Sequence, residues 1–179
     1  PYLRGVGFAA GDPNAENSVA MYIDGAYYPV GFGNFFDLNN IARVEVLKGP
    51  QGTLFGRNAT GGVIQIVTKD PSFETTGEVS VGVANYDRIM SSLYVSTGLT
   101  DKIAVDFAAM YDKNDDGWGK NLITGQETFR NKDQSFRAKV LFVPDDLTRV
   151  VLAADYASYV NPGIGAQPIF GLSGNPAEM

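Results

Sequence analysis

The glycines between residues 44 and 69 are the first feature of the sequence whose spacing suggests chemistry. This stretch reads VEVLKGPQGTLFGRNATGGVIQIVTK and has glycine at positions 49, 52, 56, 61 and 62. A phosphate-binding loop needs Gly-x-x-x-x-Gly-Lys-Ser/Thr before a helix, so that backbone N–H groups, a lysine and a hydroxyl meet the phosphates and magnesium. Here Gly52 and Gly56 are too close together, Arg57-Asn58 follows them, and GVIQIVTK has the pattern of a strand. The stretch therefore does not predict nucleotide binding.

An acidic run, DKNDDG at residues 112–117, is the second pattern with possible chemistry. It matches the first six positions of a calcium-binding EF-hand loop, but the twelfth position, which should be a bidentate Glu, is Ile123. No helical pattern flanks the run. We interpret it as a solvated acidic loop, although the sequence leaves open whether the loop at residues 113–133 binds a cation.

The composition excludes several classes of active site. The chain has 179 residues with no cysteine and no histidine, which removes Ser-His-Asp and Cys-His nucleophiles, Cys or His zinc sites and disulfides. No paired carboxylates suggest a hydrolytic site, so we predict no catalytic residues, no resident metal and no cofactor. The net charge of −6 gives no electrostatic reason to bind nucleic acid. The first residue is Pro1, and we expect a processed or partial chain.

The composition and the hydrophobic pattern of the sequence change near Pro71. Residues 1–71 are broken by Gly, Pro and Asn, and their apolar runs are short. Asp24-Gly25 stands between two of these runs and predicts a hairpin turn. The pattern predicts a small mixed α+β domain with irregular loops.

In residues 76–179, apolar and polar residues alternate with a period of two in five segments. These segments are about 9–12 residues long, which suits tilted membrane strands and exceeds the usual ~5–6 residues of globular strands. Five strands cannot close a barrel, so we expect further strands after Met179 or from elsewhere. We predict that five residues, one taken from each strand, face lipid: Val81, Val95, Phe107, Val140 and Leu152.

The connections and the aromatic residues support the membrane interpretation. Tight turns at residues 99–103 and 143–150 alternate with a long polar loop at 113–133 and a long stretch from Asn161, with the short turn at 85–87 as the exception. Three aromatic residues at the long-loop end are expected to form an interfacial girdle: Tyr111, Phe136 and Tyr156.

Two features of the sequence leave a soluble alternative open. The first is the alternation of apolar and polar residues, because the strands of a soluble sandwich with one buried face alternate in the same way. Arg137 and Lys139, which face Asp106 and Asp112 across neighbouring strands, fit either charge pairs in a barrel lumen or an ordinary soluble surface.

Residues 42–71, ARVEVLKGPQGTLFGRNATGGVIQIVTKDP, resemble the second half of the plug domain of TonB-dependent outer-membrane receptors. The family signature reads roughly RVEVLRGP…LYG…GGVINIVTK. YLRG at residues 2–5 and MYIDG at residues 21–25 match earlier plug segments in the expected order. The resemblance implies a mixed α+β plug domain in residues 1–71. It also implies that residues 76–179 are the first antiparallel strands of a transmembrane β-barrel, which is here only partial.

The resemblance also implies structural roles for particular residues. A plug inside a barrel must turn tightly and bring backbone against backbone, so Gly49, Gly61 and Gly62 are expected to be structural, with Gly61 at positive φ. In the family, two plug arginines pair with barrel glutamates and lock the plug to the barrel. Arg4 matches the first, whereas Lys48 replaces the second and lacks the bidentate guanidinium fork.

The function implied by the resemblance is active uptake of a scarce nutrient, most often a ferric siderophore, across the outer membrane of a Gram-negative bacterium. The TonB complex of the inner membrane supplies the energy, and outer-membrane lipid surrounds the barrel. The TonB box that contacts this complex is not in the sequence. Saccharides, cobalamin and other nutrients are alternative ligands, and a soluble β-rich carbohydrate- or peptide-binding module is the alternative protein class.

The family's ligands bind above the plug apex and between extracellular loops. This places Tyr28, Phe32, Asn34 and Phe35 nearest to an incoming ligand, where rigid aromatic rings give contact area at low entropic cost and Asn34 can orient a polar group. Trp118 in the long loop is a further candidate. The alternative is that these aromatic residues, above all Phe35, pack against the inner barrel wall.

Overall fold

The structure, a computed structural model, describes residues 2–7, 18–28, 40–56, 58–120, 125 and 127–160. Most of these residues are in strands, and the helix found among them, α1 (Gly52–Phe55), is a single turn. The N-terminal strands are β1 (Tyr2–Leu3), β2 (Val6–Gly7), β3 (Val19–Ile23), β4 (Ala26–Tyr28), β5 (Ile41–Lys48) and β6 (Gly62–Thr68). The later strands are β7 (Thr76–Ala84), β8 (Arg88–Thr100), β9 (Ile103–Asn114), β10 (Gly119–Lys120), β11 (Glu127–Thr128), β12 (Asn131–Asp145) and β13 (Thr148–Val160).

The N-terminal sheet is mixed and has the strand order β4-β3-β6-β5. Strand β3 pairs antiparallel with β4 and parallel with β6, and β6 pairs antiparallel with β5. Because side chains alternate along β3, it buries residues on both faces of the sheet, and each buried Val or Ile contributes about 1.5–3 kcal/mol. One cluster consists of Ala20, Ala59 and Val63, and the other of Met21, Ile23 and Ile66.

Glycine is required where β5 passes into β6. Gly49 has φ +89°, and its N–H donates to Gly61 O at 3.3 Å. Gly62 has φ +144°, and a Cβ there would lie 2.5 Å from Leu47 O and 2.5 Å from Leu3 Cδ1. The positive φ expected at Gly61 is therefore found at Gly62, the next residue. Gly61 is itself buried and donates its N–H to Ser18 O at 2.8 Å.

The second sheet is an antiparallel meander with the order β13-β12-β9-β8-β7, so each long strand pairs with its neighbour along the chain. The five strands have 9, 13, 12, 15 and 13 residues, longer than the sequence predicts for most of them. Strand β9 continues to Asn114 and β12 begins at Asn131, so their connection is shorter than the predicted loop at 113–133. It also contains the hairpin of β10 and β11.

The turn at residues 85–87 and the connection at residues 115–130 lie at the same end of this meander, because β7 and β9 run in the same direction. We call this the loop end. The opposite end has the two-residue turns at Asp101-Lys102 and Asp146-Leu147. The turn at 85–87 is thus a short connection on the long-loop side, which explains why it departed from the pattern of the sequence.

The second sheet buries polar side chains and exposes apolar ones. Asp106, Arg137 and Lys139 are only 4%, 5% and 3% exposed, whereas Val81 and Leu152 are 72% and 66% exposed. A soluble sheet would be arranged in the opposite way, because its apolar face is the one removed from water. The residues predicted to face lipid are all exposed: Val81, Val95, Phe107, Val140 and Leu152.

A row of stacked aromatic rings crosses the exposed face of this sheet. Phe107 and Phe136 have ring centroids 6.3 Å apart, and Phe136 and Tyr156, which are directly opposite in register, are 6.2 Å apart. Of the three residues expected in the girdle, Phe136 and Tyr156 are in this row. Phe107 continues it instead of Tyr111, which is half-buried. The described residues contain no helix that is long and apolar enough to cross a membrane.

Candidate functional site

Asp24 begins a cluster of charged side chains between the two sheets. Asp24 and Gly25 have φ +49° and +84°, the left-handed angles of a type I′ hairpin turn, which Asp and Gly tolerate best. The Asp24 N–H donates to Ile66 O at 2.9 Å. The Asp24 carboxylate accepts from the Thr68 N–H at 2.8 Å and from the Thr68 hydroxyl at 2.7 Å. The predicted hairpin turn is confirmed, and it aims a carboxylate at the second sheet.

Two cations of β12 reach this carboxylate. Arg137 Nη1 lies 3.2 Å and Lys139 Nζ 3.3 Å from Asp24 Oδ2. Lys139 also donates to the Thr68 hydroxyl and, at 3.2 Å, to Lys69 O, while Arg137 Nε donates to Asp155 on β13. We call Asp24, Thr68, Arg137, Lys139 and Asp155 the Asp24 cluster.

The cluster holds Asp24 ionised. Burial by itself raises the pKa of Asp24, but the hydrogen bonds from Thr68 and the charge of Lys139 outweigh it, so the pKa lies below its ordinary value. Removing Asp24 is costly, because Arg137 and Lys139 are buried and would be left without it in a poorly solvated site. The cluster therefore fastens the N-terminal sheet to the polar face of the second sheet.

A second carboxylate faces Lys139 from within the second sheet. Asp106 on β9 lies directly opposite Lys139 on β12 in the antiparallel register. The positive charges of Lys139 and Arg137 act on the Asp106 carboxylate, and the backbone of Lys139 is beside it. Nevertheless, neither carboxylate oxygen of Asp106 accepts a well-formed hydrogen bond.

The segment joining the two sheets has weaker contacts with the second sheet. Lys69 lies 3.8 Å from Glu78 and 4.8 Å from the centre of the Tyr94 ring, and Asp70 lies 2.8 Å from Arg149. Farther along, the Ser72 N–H donates to Ser96 Oγ at 2.7 Å. The ion pairs here are largely exposed and contribute about 0–1 kcal/mol each.

A cavity of about 520 Å³ lies at the loop end of the second sheet. Trp118 packs edge-on against Phe129 at 5.3 Å between ring centroids and lies 6.4 Å from the Tyr86 ring. Asn114 holds the loop in place, because its amide donates to Phe129 O and Asp116 O, each at 3.0 Å. The side chains that line the cavity include those of Tyr86, Arg88, Asn114, Trp118, Phe129 and Asn131.

The predicted ligand residues do not all gather at this cavity. Trp118 lines it and is 68% exposed. Tyr28 is half-buried and packs against Met21, Ile23 and Ile66 of its own N-terminal sheet, and the alternative contact with the barrel wall stays a prediction. Phe32, Asn34 and Phe35 lie outside the described residues. Of the predicted locking residues, Arg4 lies in the turn between β1 and β2 and Lys48 ends β5, and both side chains are exposed.

The predicted partners of the barrel charges are partly wrong. Arg137 pairs with Asp155 and Asp24 and not with Asp106 or Asp112. Asp112 instead pairs with Arg88, whose Nε donates to it at 2.9 Å. In the acidic run, Asp115 pairs with Lys113 at 2.7 Å, and the described residues contain no group of acidic side chains that could hold a metal ion.

The sequence did not identify Asp24 and Thr68 as functional residues. In the sequence, Asp24-Gly25 is a turn signal, and Thr68 is one residue of the strand pattern GVIQIVTK. The signal that could have found their partners is the pair of cations at i and i+2 on the polar side of β12, because buried cations require a carboxylate.

A small sheet fastened by ion pairs to the polar face of a larger sheet, whose other face is apolar, is the arrangement of plug-and-barrel membrane receptors. Residues 1–63 match the family model of the TonB-dependent Receptor Plug Domain. The resemblance noted in the sequence is confirmed: the first part of the chain is a plug domain of the TonB-dependent receptor family.

The relatives that match beyond the plug are receptors of the same kind. The chain is 32% identical over 145 residues to the pesticin receptor of Yersinia pestis, covering 80% of this chain and 21% of the relative. It is 28% identical over 176 residues to the catecholate siderophore receptor Fiu of Escherichia coli, covering 98% of this chain and 21% of that protein. The chain thus spans about a fifth of the length of these relatives.

Solved structures agree with this fold. The ferric yersiniabactin uptake receptor FyuA of Yersinia pestis superposes with a TM-score of 0.67 at 29% identity, over 78% of this chain and 22% of that chain. The pyoverdine outer membrane receptor FpvA of Pseudomonas aeruginosa gives a TM-score of 0.67 at 26% identity, over 78% of this chain and 20% of that chain.

Proposed function

We propose that this chain is part of a receptor that imports a ferric siderophore across the outer membrane of a Gram-negative bacterium. In this proposal the plug occupies residues 1–71 and the first barrel strands occupy residues 76–179. The protein moves its ligand without chemical conversion, so it is a transporter and not an enzyme. Energy comes from the TonB complex of the inner membrane, which acts on the plug.

The observation that carries the proposal is the second sheet, which exposes apolar side chains on one face and has a plug domain on its polar face. An exposed apolar face of this size is stable when lipid covers it, and a polar inner face suits a route for a hydrated ligand. The same observation disfavours the soluble binding module, because such a module would bury Val81 and Leu152 instead of Asp106 and Lys139. The relatives include a catecholate siderophore receptor and a ferric yersiniabactin uptake receptor, which supports iron as the cargo.

We further propose that the ligand contacts the loop-end cavity on its way to the plug. Trp118, Tyr86 and Phe129 offer ring faces and Asn131 offers a polar side chain, which is the mixture of apolar surface and few polar groups usual in small-molecule sites. Tyr28, Phe32, Asn34 and Phe35 remain proposed contacts at the plug apex. Arg4 and Lys48 remain proposed contacts with barrel strands beyond this chain.

Deletion of the gene in its host tests the proposal. Uptake of radiolabelled iron is measured from a ferric catecholate, from ferric pyoverdine and from ferric yersiniabactin, each with and without a protonophore. We expect the deletion to abolish energy-dependent uptake of one of these complexes, and the restored gene to recover it.

Two outcomes would redirect the assignment. Unchanged iron uptake together with a growth defect on a saccharide or with cobalamin as the limiting nutrient would assign a different cargo to the same kind of receptor. A full-length protein that stays monodisperse in buffer without detergent would contradict the membrane assignment itself.

A further inference from the structure

Each barrel cation in the Asp24 cluster has a carboxylate of the barrel wall beside it. Arg137 already uses its own, because its Nε donates to Asp155, directly opposite on β13. Lys139 makes no ion pair with its own wall carboxylate. Its ammonium is directed at the plug, where it contacts Asp24, the Thr68 hydroxyl and Lys69 O. The wall carboxylate opposite Lys139 is Asp106, which is buried and accepts no well-formed hydrogen bond.

A buried carboxylate to which no side chain donates is unusual, because an ionised group out of water needs hydrogen bonds or an ion pair. Residues directly opposite on antiparallel strands have Cβ atoms about 4.5–5.5 Å apart, so a lysine can turn to its cross-strand carboxylate without movement of the backbone. Asp106 therefore lies within reach of the Lys139 ammonium while that ammonium contacts the plug.

We propose that Asp106 is the second partner of Lys139 and receives its ammonium when the plug leaves the barrel wall. In the docked state Lys139 binds the plug through Asp24 and Thr68. As the plug begins to move, Lys139 turns to Asp106, while Arg137 keeps Asp155. Both wall cations then stay paired before water fills the gap, and the barrier to plug release is lowered.

This inference rests on the proposed role of the N-terminal domain as a movable plug. It makes Asp106 a positioning residue of the transport step, with no contact to the ligand. It also predicts the direction of two changes in the rate of plug release: removing the Asp106 charge should slow release, whereas removing the Asp24 charge should speed it.

The test follows plug release by thiol labelling and needs no ligand. Ala108 is buried on the polar face of β9, opposite Arg137, and this chain contains no cysteine. In the full-length receptor, free of other cysteines and held in outer-membrane vesicles, Ala108→Cys is labelled with a water-soluble maleimide. Urea is kept below the concentration that unfolds the barrel.

We expect Asp106→Asn to slow labelling at least about fivefold, because the departing Lys139 charge is left without a partner. Asp24→Asn should speed labelling, and Asp106→Glu should stay near the parent rate. The matched control is Asp112→Asn, on the same face of the same strand but paired with Arg88, and it should leave the rate unchanged. A direct effect of Asp106→Asn on the thiol would act in the opposite direction, because loss of a nearby negative charge makes a thiol more reactive.

A double-mutant cycle isolates the pair. In a Lys139→Met background, Asp106→Asn should no longer slow labelling. Labelling that is unchanged or faster in Asp106→Asn would overturn the proposal, as would equal slowing in the Lys139→Met background. The result is independent of cargo, so a receptor that imports no ferric siderophore can still pass or fail this test.

Discussion

At the scale of single residues, Asp24 serves two purposes with one side chain and one backbone conformation. Its left-handed φ makes the hairpin between β3 and β4, and its carboxylate accepts hydrogen bonds from Thr68 and ion pairs from Arg137 and Lys139. A glycine would keep the turn but lose the cluster, and a longer Glu would not fit the same angles as well. The residue is therefore constrained by both roles.

Replacing Asp24 by Asn should weaken plug docking by about 1–3 kcal/mol, the cost of leaving a buried charged group without one partner. The effect also has a defined acid dependence. Because the pKa of Asp24 is lowered from 3.8, its contribution is full above that value and is lost as the pH falls through the depressed folded value.

Docking, measured as the urea concentration that releases a spin-labelled plug from the second sheet, should thus be independent of Asp24 titration between about pH 7 and 5 and should weaken below about pH 4. The difference between the parent and Asp24→Asn should shrink in the same acid range. A difference that persists undiminished at pH 2 would show that Asn acts by packing and not by charge.

Gly62 is the second residue whose replacement has a clear expected effect. Gly62→Ala should destabilise the plug by about 1–3 kcal/mol, because a Cβ would meet Leu47 O and the φ is unfavourable for other residues. Gly52→Ala is the matched control, since a Cβ at Gly52 meets nothing within 4 Å. Receptor abundance in the membrane and protease resistance of the plug measure the effect, and equal results for the two variants would contradict the structural role of Gly62.

At the scale of elements, the long strands could be predicted because a period of two over many residues is a local signal. The faces followed from the same alternation, which is why Val81, Val95 and Phe107 are exposed as expected. Partners across the sheets could not be predicted, because they depend on register. Arg137 meets Asp155 and not Asp106, since β13 places Asp155 directly opposite it.

The plug was predicted less completely for a related reason. The family signature identifies the segments that form β3, β5 and β6 in their order along the chain. It does not predict the parallel pairing of β3 with β6, which joins segments that are distant in sequence. The Asp24 cluster depends on that pairing, because it brings Thr68 to Asp24. Among the described residues the helical structure is the single turn α1, so the α+β content expected of the plug stays a prediction.

The exposed face of β9 gives a prediction at this scale. Phe107→Arg should cost about 2–4 kcal/mol if the residue lies near the bilayer midplane, because lipid cannot solvate the guanidinium. Phe107→Leu keeps the face apolar and is the control. Unfolding of the receptor in lipid vesicles by urea measures the difference, and a spin label at position 107 that is reached by water-soluble quenchers and shielded from oxygen would contradict the lipid-facing assignment.

At the scale of the whole molecule, the plug apex and the loop-end cavity are the two proposed ligand contacts. If the cargo is the proposed ferric siderophore, Trp118→Ala should weaken its binding by about tenfold, equivalent to ~1.4 kcal/mol, since a large exposed ring is removed from the cavity. Tyr28→Ala should have a smaller effect on affinity, because part of that ring packs within the plug.

The double variant Tyr28→Ala/Phe32→Ala tests the plug apex directly. A loss of about tenfold or more, with normal receptor abundance, would make the apex a principal contact. Unchanged affinity in this variant together with a loss in Trp118→Ala would place recognition in the outer loops. The opposite pair of results would contradict the role proposed for the cavity.

The distance along the chain between the members of the Asp24 cluster has a consequence for how the protein folds. Each long strand pairs with the next long strand along the chain, and three of the four connections are short turns, so the meander can form at small entropic cost. Arg137 and Asp24, in contrast, are 113 positions apart, and Lys139 and Thr68 are 71 apart. Contacts of such high order form slowly. We therefore expect the wall to assemble with its charged face still hydrated, and closure of the Asp24 cluster to be a late, rate-limiting event in biogenesis.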